Sequence, residues 1–280
     1  MKKHLLLLFI IFSSCLYSQE DLLKEIDSIP TKTEYQEPTF KALQIVSGQS
    51  TKLASKNEWY IVVSHRFGDI STGFKNFLGL DDASTKLGAI YGVTDKISLS
   101  LSRETNMKTF EGGIKFQLIH QKENIPVSIV GYHVIAINTD LEKDNYPHLQ
   151  FVDRISYLSQ ALISRRFNDK LSLQLTPSYV HKNLYDPNIE NKNMFITGLG
   201  SRYKISKRVS INAEYFVNFD NHSFYKNPLS LGIDIETGGH IFQLLFTNSQ
   251  LNSDIGYLTN ATGKWQKGQI FFGFNLYRVF

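Results

Sequence analysis

The chain closes with the stretch I-F-F-G-F-N-L-Y-R-V-F, Ile270 to Phe280, and this stretch decides the fold. Phe272, Phe274 and Leu276 recur at every second position, and Phe280 continues the same register. The other face carries Gly273 and Asn275. Because successive side chains of a strand point to opposite faces, the stretch predicts a β-strand with one strongly apolar face.

A terminal alternating strand that stops on an aromatic residue resembles the C-terminal signal by which Gram-negative bacteria recognise outer-membrane barrels for insertion. Phe272, Phe274, Leu276 and Phe280 carry this likeness, and Arg278 departs from it because an apolar residue is usual there. The likeness implies two partners, the barrel-assembly machinery during biogenesis and the lipid of the outer membrane.

From Asn57 onward the same period of two recurs along the chain. Val209, Ile211 and Ala213, for example, alternate with polar residues, as a half-buried strand requires. We predict twelve strands: Glu58–Gly68, Lys86–Val93, Ile97–Glu104, Thr109–Gln121, Ile125–Asn138, Ile155–Phe167, Leu171–His181, Met194–Ile205, Val209–Asn218, Leu229–Glu236, His240–Thr247 and Ile270–Phe280. The strand Ile125–Asn138 is apolar on both faces, so the pattern does not orient it.

The links between these strands nearly alternate between tight and long. Tight links follow the second, fourth, sixth, eighth and tenth strands, as at Thr94-Asp95 and Ser206-Lys207. The short link near Asn106 is the exception among the others. Membrane barrels have short periplasmic turns, long outer loops and an even number of strands. The pattern therefore predicts an all-β, antiparallel, up-and-down transmembrane β-barrel of about twelve strands.

A soluble secreted β-sandwich is the alternative fold, because its strands also alternate. The predicted strands are about ten residues long, close to the length of a tilted membrane-spanning strand and longer than the usual five or six of globular sheets. Hydrophobic residues make up 42% of the chain and aromatic residues 13%, led by 20 Phe and 14 Tyr. This composition argues against a helical membrane protein and suits a barrel with aromatic girdles.

The N-terminus has the pattern of a secretory signal peptide, residues 1–18, with Lys2 and Lys3 ahead of a short apolar run. Acylation at Cys15 is the alternative, although the preceding residues fit a lipobox poorly. Cleavage after Ser18 removes the only cysteine and lowers the formal charge from +4 to +2, too weak to indicate nucleic-acid binding. Residues 19–56 are expected to form a periplasmic segment, in which Phe40–Val46 could add a short strand, and residues 57–280 the barrel.

Several stretches resemble an uncharacterised family, a domain of unknown function, of Gram-negative outer-membrane β-barrels. They are His65 to Gly68, Phe77 to Asp81, Tyr91 to Asp95 and Lys115 to Gln121, and their order along the chain is the larger part of the likeness. The resemblance covers about Phe40 to the C-terminus. It implies a barrel in the cell outer membrane and carries no known activity or site residue.

Alternation predicts a set of charged side chains that face the barrel lumen. Arg66 is the most informative, either as part of a charged constriction or paired with an inward carboxylate such as Glu104 or Glu111, which we favour because buried charges need partners. The full predicted set is Arg66, Glu104, Glu111, Lys115, Arg202, Lys204, Glu214, Asp234 and Glu236. Its mixed signs suit a salt-bridged plug or a small water-filled path.

The first long loop contains four apolar residues, Phe74, Phe77, Leu78 and Leu80. Two interpretations stay open. The segment could fold back as a cap or ligand dock, or it could form a short amphipathic helix on the membrane rim.

The function predicted from these features is non-enzymatic: a pore or conduit for a small solute, or an envelope scaffold with a periplasmic partner. A lipid hydrolase is the enzymatic alternative, and it needs Ser and His within hydrogen-bond reach on the lipid face. His120, His133 and His181 could face lipid, but no recognisable serine motif accompanies them. The sequence contains no phosphate-binding glycine loop and no zinc-ligand spacing, so no cofactor, metal or catalytic residue is predicted.

Overall fold

The structure, a computed structural model, describes residues 38–219 and 224–280. The predicted signal peptide, Cys15 and the predicted periplasmic residues 19–37 lie outside the described residues.

Twelve antiparallel strands close into one barrel, in which each strand pairs with its neighbours in sequence and β1 pairs with β12. The closing pair runs from Tyr60 opposite Val279 to Arg66 opposite Gly273. The strands are β1 Trp59–Asp69, β2 Ala83–Thr94, β3 Ile97–Glu104, β4 Thr109–Ile119, β5 Ser128–Asn138, β6 Ile155–Arg166, β7 Leu171–Lys182, β8 Asn193–Lys204, β9 Val209–Asn218, β10 Leu229–Thr237, β11 His240–Thr247 and β12 Phe271–Val279. The predicted up-and-down barrel is confirmed.

Strand boundaries differ from the prediction mainly in β2 and β5. β2 begins at Ala83, which pairs with Phe67 of β1, so its polar first residues belong to the sheet. β5 begins at Ser128 because Ile125 bonds back to Lys122 in a turn and Pro126, which lacks an N–H, follows.

The strands carry polar side chains inward and apolar side chains outward. In β7 the buried inner positions are Ser172, Gln174, Thr176 and Ser178, whereas Leu175 of the opposite face is 45% exposed. A soluble sandwich has the reverse arrangement, with its apolar face buried. An apolar outer surface around a polar interior is the arrangement of a membrane barrel.

β5 owes its two apolar faces to an apolar patch inside the barrel. Val130, Tyr132 and Val134 point inward and belong to a buried apolar cluster. Ile129 and Ile135 lie on the outer face, where Ile135 is 51% exposed.

The tight links lie at one end of the barrel and the long links at the other. Asp95-Lys96 and Gly238-Gly239 are two of the tight links, and residues 139–154 and 248–270 are two of the long ones. Since short turns face the periplasm in barrels of this kind, the tight-turn end is the periplasmic end. No helix in the described ranges is long and apolar enough to cross a bilayer.

Candidate functional site

The predicted short strand at Phe40–Val46 is instead one arm of a hairpin that occupies the lumen. We call Phe40–Ala54 the lumen hairpin. Its tip is a tight turn in which Ile45 N donates to Gly48 O at 2.8 Å, and Gln44 forms one isolated bridge with Gln49. Gly48 is needed there because a Cβ would stand 2.7 Å from the Phe216 ring.

Both arms of the lumen hairpin reach the periplasmic end of the barrel. Lys41 Nζ lies 2.6 Å from Glu236 Oε2, where β10 ends. The other arm bonds to β3, as Ala54 N donates to Ser98 Oγ at 3.1 Å. The hairpin therefore enters and leaves through the same mouth.

The hairpin tip rests on the carboxylate of Glu214 in β9. Ser47 N donates to its Oε1 at 2.7 Å and Gly48 N at 2.9 Å. Val46 N donates more weakly to Oε2 at 3.3 Å. One side chain thus holds three consecutive backbone amides, as an anion does in a concave nest of N–H groups.

The carbonyl groups of the hairpin are held by the ammonium of Lys115 in β4. Lys115 Nζ donates to Leu43 O and to Ser50 O, both at 2.9 Å. These carbonyls belong to opposite arms, so one lysine ties the two arms together.

Side-chain amides from three further strands complete the attachment. Gln174 of β7 accepts from Thr51 N at 3.0 Å, Gln243 of β11 donates to Ile45 O at 3.1 Å, and Asn275 of β12 donates to Val46 O at 2.8 Å. Because β7 lies across the barrel from the neighbouring strands β11 and β12, the hairpin occupies the interior.

Arg66 of β1 joins the hairpin to the closing strand pair. Its Nη1 donates to Asn275 Oδ1 at 2.9 Å and its Nη2 to Ser47 Oγ at 3.2 Å. The expected pairing with Glu104 or Glu111 is absent from the described residues, because both carboxylates are bound to other groups.

Those carboxylates hold a second segment that folds into the lumen from the outer end. This outer insert, Asn248–Gly263, belongs to the link between β11 and β12 and contains a short helix, α1, Asp254–Thr259. Glu104 accepts from Ser253 N at 3.1 Å, and Glu111 accepts from Asp254 N at 2.7 Å. The two carboxylates thus bind amides at the start of α1, where negative charge is favoured.

Lys86 of β2 neutralises part of this charge. Its Nζ lies 2.8 Å from Glu111 Oε2 and 3.6 Å from Asp254 Oδ1, and it donates to Asn252 O at 3.2 Å. The apolar side of α1, with Ile255 and Leu258, belongs to the same buried cluster as the inward residues of β5.

The two inserted segments meet in the lumen. Gln49 Nε2 of the hairpin donates to Asp254 Oδ1 at 3.0 Å. Tyr257 of α1 donates its hydroxyl to Glu214 Oε1 at 2.8 Å, the oxygen that also holds the hairpin tip. Both segments therefore depend on one carboxylate.

Two of the cavities in the described part of the chain lie beside them. One of about 50 Å³ lies between the hairpin and the wall next to Lys86 and Lys115. The other, of about 540 Å³, opens at the outer end among Tyr146, Arg154 and Tyr185 and has α1 as part of its lining.

The structure places seven of the charged side chains proposed for the lumen at buried inward positions: Arg66, Glu104, Glu111, Lys115, Arg202, Glu214 and Asp234. Glu236 lies at the periplasmic mouth with its side chain 35% exposed. Lys204 lies at the end of β8, near the same mouth.

The four apolar residues of the first long loop are exposed. Phe74 is 85% exposed and Phe77 59%, while Leu78 and Leu80 are both 41% exposed. The segment Ile70–Gly79 forms a kinked 3-10 helix. These exposed fractions favour the amphipathic segment at the rim over a packed cap.

The last strand directs its apolar positions to lipid. Phe272, Phe274 and Leu276 alternate with buried inward residues of β12. Phe272 stacks on Phe67 of β1 with ring centroids 5.7 Å apart, and terminal Phe280 is 64% exposed.

Sequence reasoning missed both inserts and one outward pair. Two features of the sequence pointed to a segment inside the barrel. They are the apolar inner face of β5, which needed an apolar partner, and the glycines of β8. A Cβ at Gly200 would lie 2.3 Å from Ile45 Cδ1. On the lipid face, His133 Nδ1 and Ser159 Oγ lie 2.8 Å apart, on neighbouring strands whose register the sequence did not reveal.

A family model described as "Membrane bound beta barrel domain (DUF5777)" matches residues 40–280. Among solved structures, the NanC porin shares 10% identity, with 79% of this chain and 98% of that chain covered and a TM-score of 0.51. The KdgM porin in complex with disordered oligogalacturonate shares 11% identity, with 79% and 99% covered and a TM-score of 0.52. No curated protein sequence matches the chain. At these identities the likeness to the two porins is one of fold.

Proposed function

The chain belongs to the family of membrane-bound β-barrel domains, and from that premise we propose that it is a conduit for small polar solutes, held closed by its lumen hairpin. Its barrel is porin-like and lies in the outer membrane, as predicted. The observation that carries the proposal is the lumen hairpin, which fills a polar lumen without crossing it.

The attachment of the hairpin supports a reversible closure. Its contacts with the wall are hydrogen bonds, one ion pair and apolar packing, and both of its arms lie at the periplasmic mouth. Withdrawal toward the periplasm would leave the wall intact. The polar side chains so uncovered, such as Glu214 and Lys115, would then face water, as in the water-filled barrels of porins.

Single-channel recording tests the closure. A protease site is inserted between Lys56 and Asn57, both exposed, and the full chain is assembled in a planar bilayer before cleavage. We expect low conductance before cleavage and a stable open level afterward, once the hairpin leaves.

The matched control carries the same protease site between Glu123 and Asn124, in an exposed periplasmic turn away from the hairpin. Cleavage there leaves the hairpin attached, so conductance should stay low. A barrel that keeps its heat-modifiable mobility and releases its hairpin, yet never conducts, would refute the conduit and favour the scaffold.

One observation bears on the hydrolase alternative, the outward pair of His133 and Ser159. Acyl transfer by such a pair also needs a group that orients the imidazole. Within the described residues the other ring nitrogen of His133 has no hydrogen-bond partner. We therefore assign the pair a structural role, in which each side chain satisfies the other on a face without water. Phospholipid hydrolysis by the purified barrel that disappears in Ser159→Ala would overturn this assignment.

A further inference from the structure

Most of the hydrogen bonds between the lumen wall and the two inserts go to the backbones of the inserts, and from this we infer that the lumen is a binding site for extended peptides. This inference deepens the proposed conduit by naming the class of its solute. It rests on which atoms of the inserts the wall contacts.

The carboxylates of the wall bind backbone N–H groups. Glu214 accepts hydrogen bonds from the N–H groups of Val46, Ser47 and Gly48. At the outer insert, Glu104 accepts from the N–H groups of Asn252 and Ser253, and Glu111 accepts from that of the next residue, Asp254. Two separate places in the lumen thus present a carboxylate to a run of amides.

The ammonium and amide groups of the wall bind backbone C=O groups. Lys115 donates to carbonyls of both hairpin arms, and Lys86 donates to one carbonyl of the outer insert. Gln243 and Asn275 donate to neighbouring carbonyls at the hairpin tip. Gln174 binds both kinds of backbone group, since it accepts from Thr51 N at 3.0 Å and donates to Gln49 O at 2.8 Å.

This arrangement places acceptors and donors at different positions around the wall, each matched to a main-chain group. Every residue of a peptide except proline offers one N–H and one C=O, so these contacts do not depend on side-chain identity. A saccharide offers hydroxyl groups in another spacing and no amide chain. A peptide that enters the vacated lumen therefore finds the partners that the hairpin has left.

Buried backbone needs partners in any fold, and the test must separate that general need from a peptide site. The full chain with the cleavable site after Lys56 is assembled in nanodiscs and cleaved. Binding of fluorescent peptides is then followed by anisotropy, or by displacement of the cut hairpin where it stays bound. This measurement does not depend on conductance, so the peptide site and the conduit fail separately.

The first comparison uses a peptide of residues 41–54 and two N-methylated forms. Methylation at Ser47 and Gly48 removes two of the three hairpin donors to Glu214, the two with the shorter bonds. We expect binding to weaken by about tenfold or more, since hydrogen bonds to charged groups are among the stronger ones. Methylation at Ala42, whose amide has no hydrogen bond among the described residues, is the control for added bulk and should have the smaller effect. In the Glu214→Ala barrel the difference between the two forms should vanish.

The second comparison tests the solute class with a peptide of the same length made only of Ala and Ser. We expect it to bind more weakly than the native peptide and to lose binding in Glu214→Ala and in Lys115→Met. Maltotriose at the same concentration should not compete with it. Each of three results would overturn the inference: the Ala/Ser peptide does not bind, maltotriose competes equally well, or methylation at Ala42 weakens binding as much as methylation at Ser47 and Gly48.

Discussion

Glu214→Ala should loosen both inserts at once. In the native chain this carboxylate accepts from Ser47 N at 2.7 Å, from Gly48 N at 2.9 Å and from Tyr257 Oη at 2.8 Å. Its removal leaves buried donors without an acceptor, and each such group costs roughly 1–3 kcal/mol. Two effects offset part of this loss: a buried carboxylate no longer has to be desolvated, and water can enter the vacated space. We therefore expect about 2 kcal/mol for the hairpin, or roughly 30-fold in its docking equilibrium.

Hydrogen–deuterium exchange in nanodiscs measures this effect, because protection of the hairpin amides reports how often the hairpin leaves the wall. Amides of the tip at Ser47 and Gly48 should exchange roughly 30-fold faster in Glu214→Ala, and those of α1 should follow. Glu214→Gln keeps one acceptor oxygen and should have a smaller effect. Asp169→Asn removes the same charge from a side chain that is 95% exposed and should change nothing. Unchanged exchange at the tip, in a barrel that still resists detergent, would refute the role given to this carboxylate.

Four further perturbations test other parts of the structure. Gly200→Val should displace the hairpin, because the added Cβ would lie 2.3 Å from a hairpin side chain. We expect faster exchange of the hairpin amides and more frequent channel openings. Gly112→Val, where a Cβ meets nothing within 4 Å, is the control and should change neither. Lys86→Met breaks a buried ion pair at the outer insert and should destabilise its docking by about 3–5 kcal/mol, seen as faster exchange of the α1 amides; unchanged exchange there would contradict the pairing. Chymotrypsin applied to intact cells should cut after Phe77, and full resistance would mean that the exposed loop is covered. Phe280→Ala should lower the yield of heat-modifiable barrel from the assembly machinery without changing the mobility of the barrel that does form, and an unchanged yield would remove the terminal aromatic from the insertion signal.

The strands could be predicted because their information is local. Alternation fixes which residues of a strand share a face, and tight turns fix neighbouring strands as hairpins. β3, β9 and β11 therefore begin and end at the predicted residues. The inward charges of Glu104 and Glu214 follow from the same alternation.

The two inserts could not be predicted because their positions depend on contacts distant in sequence. The apolar residues of Phe40–Val46 read equally well as a strand, and only the wall of the closed barrel turns them into a hairpin. Glu214 and Gly48 are separated by 166 positions, so no local pattern joins them. For Arg66 the inward direction followed from the sequence, but its neutral partners did not.

The contacts of Arg66 also have a consequence for the route a molecule can take. β1 and β12 form the one junction that joins the two ends of the sheet, and it is the natural place for a barrel to part sideways into the lipid. Arg66 crosses this junction to Asn275 and to the carbonyl of Phe274 at 3.2 Å, while Phe67 and Phe272 stack across it on the outside. The junction is fastened on both of its surfaces, so a molecule that entered the proposed conduit would move along the barrel axis and would find this sideways exit into the bilayer closed.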